Sequence, residues 1–146
     1  MARVYTVDAS VFLNAFNPYE SGHEESYRFL ARIRGEPAPI VVPTLLLPEV
    51  AAAVARGRED ATLAREFAAT LGQLSNVVLI PLDAALAQEA VNMAAQHRLR
   101  GSDAVYVAVA QRFGSVLVTR DREQRARAAG VLVVRSPAEA LAEDRR

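Results

Sequence analysis

The chain has 146 residues, of which 51% are hydrophobic and 23% charged, and this length and composition predict one folded domain spanning residues 1–146. It contains no cysteine and no lysine, which excludes disulfides, thiolate zinc sites, P-loops and cysteine or lysine nucleophiles. The 17 arginines balance 17 acidic residues, and this zero net charge argues against a nucleic-acid binder with a uniformly basic surface.

Short apolar runs alternate with helical patterns along the first half of the chain. The runs at 3–7 and 40–42 are rich in β-branched residues, which is typical of short strands. Apolar residues spaced by three and four predict helices, and Gly57 is interpreted as the residue that ends one of them. The predicted helices of this half are 10–16, 23–34, 45–56 and 59–74.

The second half continues the same alternation. Strands are predicted at 77–80, 116–118 and 131–134, each followed by a helix. The helix at 104–113 is apolar almost all round, which predicts a buried position at the centre of the fold. The other predicted helices run from Asp83 to about residue 98, over 122–129, and from Ser136 into a charged tail that we expect to fray from about residue 142.

The strand runs are short, continuous and apolar, and helices separate them. This pattern is typical of a parallel sheet covered on both faces. We therefore predict an α/β fold of three layers, α/β/α, with a mostly parallel central sheet of about five strands. No apolar run approaches the roughly 20 residues of a membrane span, and the N-terminus lacks a signal-peptide core, so we expect a cytoplasmic protein without a membrane partner.

Four acidic residues follow predicted strands or open predicted helices. Asp8 directly follows the first strand, and Asp121 follows the strand at 116–118 after two residues. Glu49 lies in the first turn of its helix, and Asp103 opens the buried helix. In open parallel α/β sheets, ligand-binding and active sites lie at the carboxyl ends of the strands. Carboxylates that converge there repel one another and are costly to bury unless a cation neutralises them.

Oxygen-only ligands, without cysteine or paired histidines, favour a hard ion, magnesium (Mg²⁺) or Mn²⁺. Each acid alone also has a simpler interpretation, because an acid at a helix N-terminus commonly caps that helix. Asp60 and Asp83 are interpreted as caps of this kind. The four tyrosines are expected in the core or at its rim.

Four segments together resemble a known protein family over essentially the whole chain. They are Val4-Tyr5-Thr6-Val7-Asp8-Ala9-Ser10-Val11, Pro48-Glu49-Val50, the run from Arg100-Gly101-Ser102-Asp103 to Ala110, and Val118-Thr119-Arg120-Asp121-Arg122-Glu123. The chain resembles the PIN-domain ribonucleases, and within them the VapC-like toxins of toxin–antitoxin pairs. This resemblance implies the PIN fold, an RNA substrate, a cognate VapB-like antitoxin and a homodimer.

The resemblance also implies roles for individual residues. The metal-binding and catalytic acids would be Asp8, Glu49, Asp103 and Asp121, with Ser10 and Thr119 as hydroxyl groups beside them. A bound Mg²⁺ or Mn²⁺ would activate a water molecule to hydrolyse a phosphodiester bond.

Arginines are concentrated near the last two acids. Between residues 98 and 127 there are seven arginines against three acids, and arginine can bind phosphate in a two-pronged manner. We predict RNA contacts for four of them, while noting that such residues also form ordinary solvated helix faces with acidic partners. The four are Arg100, Arg120, Arg122 and Arg125.

Two other function classes require residues that this sequence lacks. A haloacid-dehalogenase-type phosphatase also begins with a strand and an Asp, but it requires a second Asp where this chain has Ser10, and a lysine that this chain lacks. A Rossmann dinucleotide site requires glycines after the first strand, and Asp8-Ala9-Ser10-Val11 does not supply them. A catalytically inactive PIN scaffold remains an alternative to the nuclease.

Overall fold

The computed structural model describes residues 3–36 and 38–143, and its centre is a single parallel sheet. The strands are β1 (Tyr5–Val7), β2 (Ile40–Pro43), β3 (Val77–Ile80), β4 (Val116–Val118) and β5 (Val134–Arg135). Their order in the sheet is β3-β2-β1-β4-β5, and every pairing is parallel. The predicted five-stranded sheet is therefore confirmed, and within the described residues it is wholly parallel.

Helices cover the sheet and complete the predicted three-layer α/β/α architecture. In the described part of the chain they are α1 (Ala9–Phe16), α2 (His23–Gly35), α3 (Leu46–Arg58), α4 (Ala61–Gly72), α5 (Ala84–His97), α6 (Gly101–Phe113), α7 (Arg122–Ala128) and α8 (Pro137–Glu143). No helix among residues 3–36 and 38–143 is long and apolar enough to cross a membrane.

Strand β1 lies at the centre of the sheet and determines which residues meet at its carboxyl edge. Its Tyr5 pairs with Ile40 of β2 on one side, and its Val7 pairs with Val118 of β4 on the other. All three residues of β1 are buried, as a strand covered on both faces requires. Because β1 and β4 are in register and parallel, the residues that follow them emerge side by side.

The predicted central helix is confirmed as α6. Residues Asp103–Ala110 are buried without interruption, and the helix packs against β1, β2 and β4. The helix begins earlier than the apolar pattern suggested, at Gly101, with Arg100 as its N-cap residue in extended conformation. Asp103 consequently lies in the first turn of α6, at the sheet edge, instead of preceding the helix.

Boundaries of α3 and β5 were also predicted wrongly. Gly57 does not end α3, because the left-handed residue that stops this helix is Glu59, with φ of 49°. The last strand is shorter and later than the predicted 131–134, since Val131 N donates to Ala128 O at 2.9 Å and closes a turn there. Of the tail expected to fray from residue 142, residues 142 and 143 belong to α8, and 144–146 lie outside the described residues.

Asp83 caps α5 and provides a test of the capping interpretation. Its carboxylate accepts a hydrogen bond from Leu86 N at 2.9 Å. We expect Asp83→Ala to lower the free energy of unfolding by about 1 kcal/mol, because the backbone N–H of Leu86 loses its hydrogen-bond partner. Chemical denaturation measures this loss. Asp83→Asn is the matched control and should retain most of the stability, since asparagine caps equally well; equal losses in both variants would contradict the capping role.

Candidate active site

The acids after β1 and β4 lie side by side, and both cap the helices that follow them. Asp8 accepts a hydrogen bond from Ser10 N at 3.0 Å at the start of α1. Asp121 accepts from Glu123 N at 2.9 Å and from Gln124 N at 3.1 Å at the start of α7. The capping interpretation is thus correct for both acids, and capping also fixes each carboxylate at the carboxyl edge of the sheet.

Glu49 and Asp103 reach the same edge from two other helices, α3 and α6, where each lies in the first turn. Burial raises the pKa of the Glu49 carboxyl, and the charges of Asp8 and Asp103 raise it further. Burial also raises the pKa of Asp103, with further repulsion from Asp8 and Asp121. The four predicted acids therefore interact electrostatically as one cluster.

Asp8 is the deepest member of the cluster, with 8% of the residue exposed. Burial raises its pKa, and the charge of Asp121 adds to that effect. Hydrogen bonding from Ser10 and Thr119, the two predicted accessory residues, lowers the pKa and partly offsets the burial. Each accessory hydroxyl also accepts a backbone hydrogen bond, from Arg120 N to Ser10 Oγ at 3.2 Å and from Asp121 N to Thr119 Oγ1 at 3.1 Å.

The sequence matches the PIN domain family over residues 5–130. The chain belongs to the PIN domain family. No curated protein matches it significantly.

Solved structures share this fold at low sequence identity. VapC20 from Mycobacterium tuberculosis, a toxin that cleaves the sarcin-ricin loop, is 20% identical with a TM-score of 0.71, over 89% of this chain and 96% of that one. VapBC2 from Rickettsia felis, bound to a DNA fragment from its promoter, is 14% identical with a TM-score of 0.69, over 91% and 98%. PAE2754 from Pyrobaculum aerophilum is 27% identical with a TM-score of 0.64, over 97% and 95%.

Tyr106 is a residue of this PIN domain's site that sequence reasoning missed. It is completely buried on α6, and its hydroxyl donates a hydrogen bond to Glu49 Oε1 at 2.7 Å. Burial together with the Glu49 charge raises the pKa of Tyr106, so the phenol stays protonated and can donate. Tyr106 follows Asp103 by three residues, and this spacing places the two side chains on the same helix face. The spacing is the feature of the sequence that could have identified Tyr106 as a site residue.

The predicted RNA-binding arginines are mostly engaged within the protein. Arg120 donates to Glu20 Oε1 at 2.6 Å and to Ser21 O at 2.7 Å, holding the loop between α1 and α2. Arg125 pairs with Glu139 of α8. Arg122 is exposed and, within the part of the chain that the structure describes, forms no ion pair.

Arg100 differs most from its predicted role, because it binds the cluster itself. Its Nε donates to Asp103 Oδ2 at 3.0 Å, and its Nη2 donates to Asp121 Oδ2. The pairing raises the pKa of the Arg100 guanidinium, chiefly through the hydrogen bond to Asp103, so the group stays charged. One arginine therefore joins two of the four acids.

The donor chemistry of the cluster fits a hard divalent cation. All four groups offer carboxylate oxygens, and a bound cation would reduce the repulsion between them. In the present arrangement, however, no three acidic or histidine side chains among residues 3–36 and 38–143 converge so as to hold one ion. The positive charge that two of the acids receive here comes from Arg100.

The raised pKa values predict how the stability of the metal-free protein depends on pH. The folded state binds protons at Asp8, Glu49 and Asp103 more tightly than the unfolded chain, whose carboxyl pKa values are about 4. The free energy of unfolding should therefore fall as pH rises from about 4 through the raised values.

Asp8→Asn should reduce the decrease of the free energy of unfolding with rising pH. It keeps the cap of α1 and removes the most buried charge, so it should stabilise the metal-free protein at pH 7 by about 1 kcal/mol. Denaturant unfolding between pH 4 and pH 8, in the presence of a chelator, measures both effects. Asp60→Asn, at a cap of α4, is the control; lower stability of Asp8→Asn than of the native protein at pH 7 would contradict the repulsion.

Proposed function

We propose that this PIN domain is a divalent-metal-dependent endoribonuclease and the toxin of a toxin–antitoxin pair. The observation that carries the proposal is the electrostatic repulsion among Asp8, Glu49, Asp103 and Asp121, which lie at the starts of four different helices along the carboxyl edge of the sheet. Such a cluster costs stability, and proteins retain groups of this kind at functional sites. The family and the VapC structures with the same fold support the proposal.

The four carboxylates would hold Mg²⁺, or Mn²⁺ in its place. When bound, the ion supplies Lewis acidity, lowering the pKa of a water molecule and stabilising charge on the phosphate. The chain offers neither lysine nor cysteine as a nucleophile, which is consistent with attack by water.

The surrounding residues of the chain hold these carboxylates in place. Hydrogen bonds from Ser10 and Thr119 orient Asp8 and keep its proton affinity from rising further. Tyr106 donates a hydrogen bond to one oxygen of Glu49, which restricts the orientation of that carboxylate. Each acid thus has a defined orientation before any ion binds.

The substrate would be RNA, bound through its phosphates beside the acidic cluster. Arg122 begins α7 directly after Asp121, and its exposed guanidinium is available to a phosphate. A phosphate contact from Arg120 or Arg125 would first have to replace the internal ion pair with Glu20 or Glu139.

An apolar groove between α1, α2 and α4 offers a surface for the proposed antitoxin. Its volume is about 410 Å³, and Phe16, Tyr27, Leu30 and Phe67 are among the partly or fully exposed residues that line it. Phe29, Leu46 and Val54 are buried in the fold and are not available to a partner. A helix with an apolar stripe fits a groove of this kind. The toxin itself would act as a homodimer.

Cleavage of RNA by purified variants tests the proposed activity. Asp8→Asn and Asp103→Asn should each reduce the rate of cleavage in Mg²⁺ or Mn²⁺ by at least about 100-fold, because each removes a ligand charge while keeping the side-chain shape. Gel electrophoresis of a labelled RNA measures the rate. Asp60→Asn changes an acid that only caps α4 and should cleave normally. Undiminished cleavage by both site variants would refute the assignment.

The same samples distinguish the alternative, a catalytically inactive scaffold. A scaffold would bind the metal ion through the same acids but would hydrolyse neither RNA nor DNA. Calorimetric titration with Mn²⁺, run beside the cleavage reaction, separates these two outcomes.

A further inference from the structure

The guanidinium of Arg100 covers the solvent side of the acidic cluster. The Arg100 side chain is 61% exposed, whereas the side chains of Asp103 and Asp121 that it contacts are only 12% and 26% exposed. Arg100 bridges the two carboxylates with different nitrogens, Nε to Asp103 and Nη2 to Asp121. The positive charge therefore lies between the two carboxylates and the solvent.

This pairing occupies ligand atoms that a metal ion would need. Oδ2 of Asp103 and Oδ2 of Asp121 both accept hydrogen bonds from Arg100. In the same arrangement, no three acids of the described ranges, 3–36 and 38–143, converge on one ion. A divalent ion bound by these carboxylates would lie close to the guanidinium, and the two positive charges would repel each other. Metal binding by the cluster and pairing with Arg100 are thus competing states.

We propose that Arg100 is an internal counter-ion that the divalent metal displaces, and that the released guanidinium then binds a phosphate of the RNA substrate. The second half of this inference rests on the proposed nuclease function, whereas the first half does not. Arg100 holds the two acids in place before the ion arrives, which limits their repulsion. Its displacement then adds positive charge to the substrate face at the moment when the metal is bound.

The position of Arg100 in the fold permits this exchange. It is the N-cap residue of α6, with φ of −63° and ψ of 153°, and it contributes no side-chain cap to the helix. Rotation about side-chain bonds is sufficient to release the guanidinium, so the backbone and the first turn of α6 remain in place. A guanidinium binds phosphate with the same forked geometry as it binds carboxylate.

The exchange makes metal and RNA binding mutually favourable. A metal ion that binds only when Arg100 has left its carboxylates, and a phosphate that binds only the free guanidinium, select the same conformation. Without Arg100, the metal should bind more tightly, because it no longer competes with an internal cation. The contribution of the metal to RNA affinity should at the same time decrease.

Titration with Mn²⁺ alone tests the first half. By isothermal calorimetry at low salt, we expect Arg100→Gln to bind Mn²⁺ roughly two- to fivefold more tightly than the native protein, the range that an exposed ion pair can contribute. Arg100→Lys keeps the charge but loses the fork, and should lie between the two. Arg122→Gln is the control, because it removes the same charge from a residue adjacent to Asp121 without breaking a pair.

The outcomes of this titration are distinct. Equal Mn²⁺ affinity in Arg100→Gln and Arg122→Gln would show that only the loss of nearby charge matters and would overturn the exchange. Weaker binding in Arg100→Gln would also overturn it. If the native protein does not cleave RNA but Arg100→Gln still binds Mn²⁺ more tightly than the native protein does, the proposed function is refuted and the exchange of cations stands.

Binding of a fluorescein-labelled single-stranded RNA tests the second half. The salt dependence of its affinity is measured by anisotropy with a chelator and then with Ca²⁺, an ion chosen to slow hydrolysis, and the RNA is checked for integrity afterwards. In the native protein, the ion should steepen the slope by roughly 0.7, the value for one phosphate contact in a single strand. Arg100→Gln should not show this increase. The same increase in both proteins would overturn the role of Arg100 in phosphate binding.

Discussion

Repulsion between carboxylates at the carboxyl edge of one parallel sheet is the constraint on which this structure depends. Asp8 is almost completely buried, and the charges of its acidic neighbours raise the pKa of Glu49 and Asp103 beyond the effect of burial. Such an arrangement loses stability as the acids ionise unless positive charge is supplied. In the structure, Arg100 supplies that charge to Asp103 and Asp121. The proposed metal ion would supply it to the whole cluster.

The fold concentrates these charges through its topology. Strands β1 and β4 are parallel neighbours, so the residues after them emerge together, and α3 and α6 each bring a first-turn acid to the same edge. Helix N-termini favour negative charge, which offsets part of the cost of holding acids there. The buried face of α6 adds a hydrogen bond from Tyr106 that fixes Glu49. The same backbone that builds the core therefore orients the site.

Local patterns predicted much of this arrangement from the sequence. Continuous apolar runs identified strands β1 to β4, whereas the fifth was predicted three residues too early, and the position of Asp8 directly after the first run placed it at the sheet edge. The side-chain partners were harder to predict, because an arginine pairs with whichever acid the tertiary fold brings near. Arg120 reaches Glu20, 100 residues away in the chain, and Arg100 reaches Asp121, so their predicted role in RNA binding could not be separated from ion pairing. The prediction that Gly57 ends α3 was wrong because the left-handed residue that ends this helix is Glu59, two residues later.

A crystal structure of the protein grown with Mn²⁺, using the anomalous signal of the metal, tests the central claim most directly. The account predicts an anomalous peak among the carboxylates of Asp8, Glu49, Asp103 and Asp121, with the Arg100 guanidinium moved away from the last two. The backbone of α6 and the caps of α1 and α7 should be unchanged, since rotation of side chains is sufficient to bring the carboxylates to the ion. A peak at another site, or no peak at the cluster under saturating Mn²⁺, would contradict the claim that these acids form a cation site.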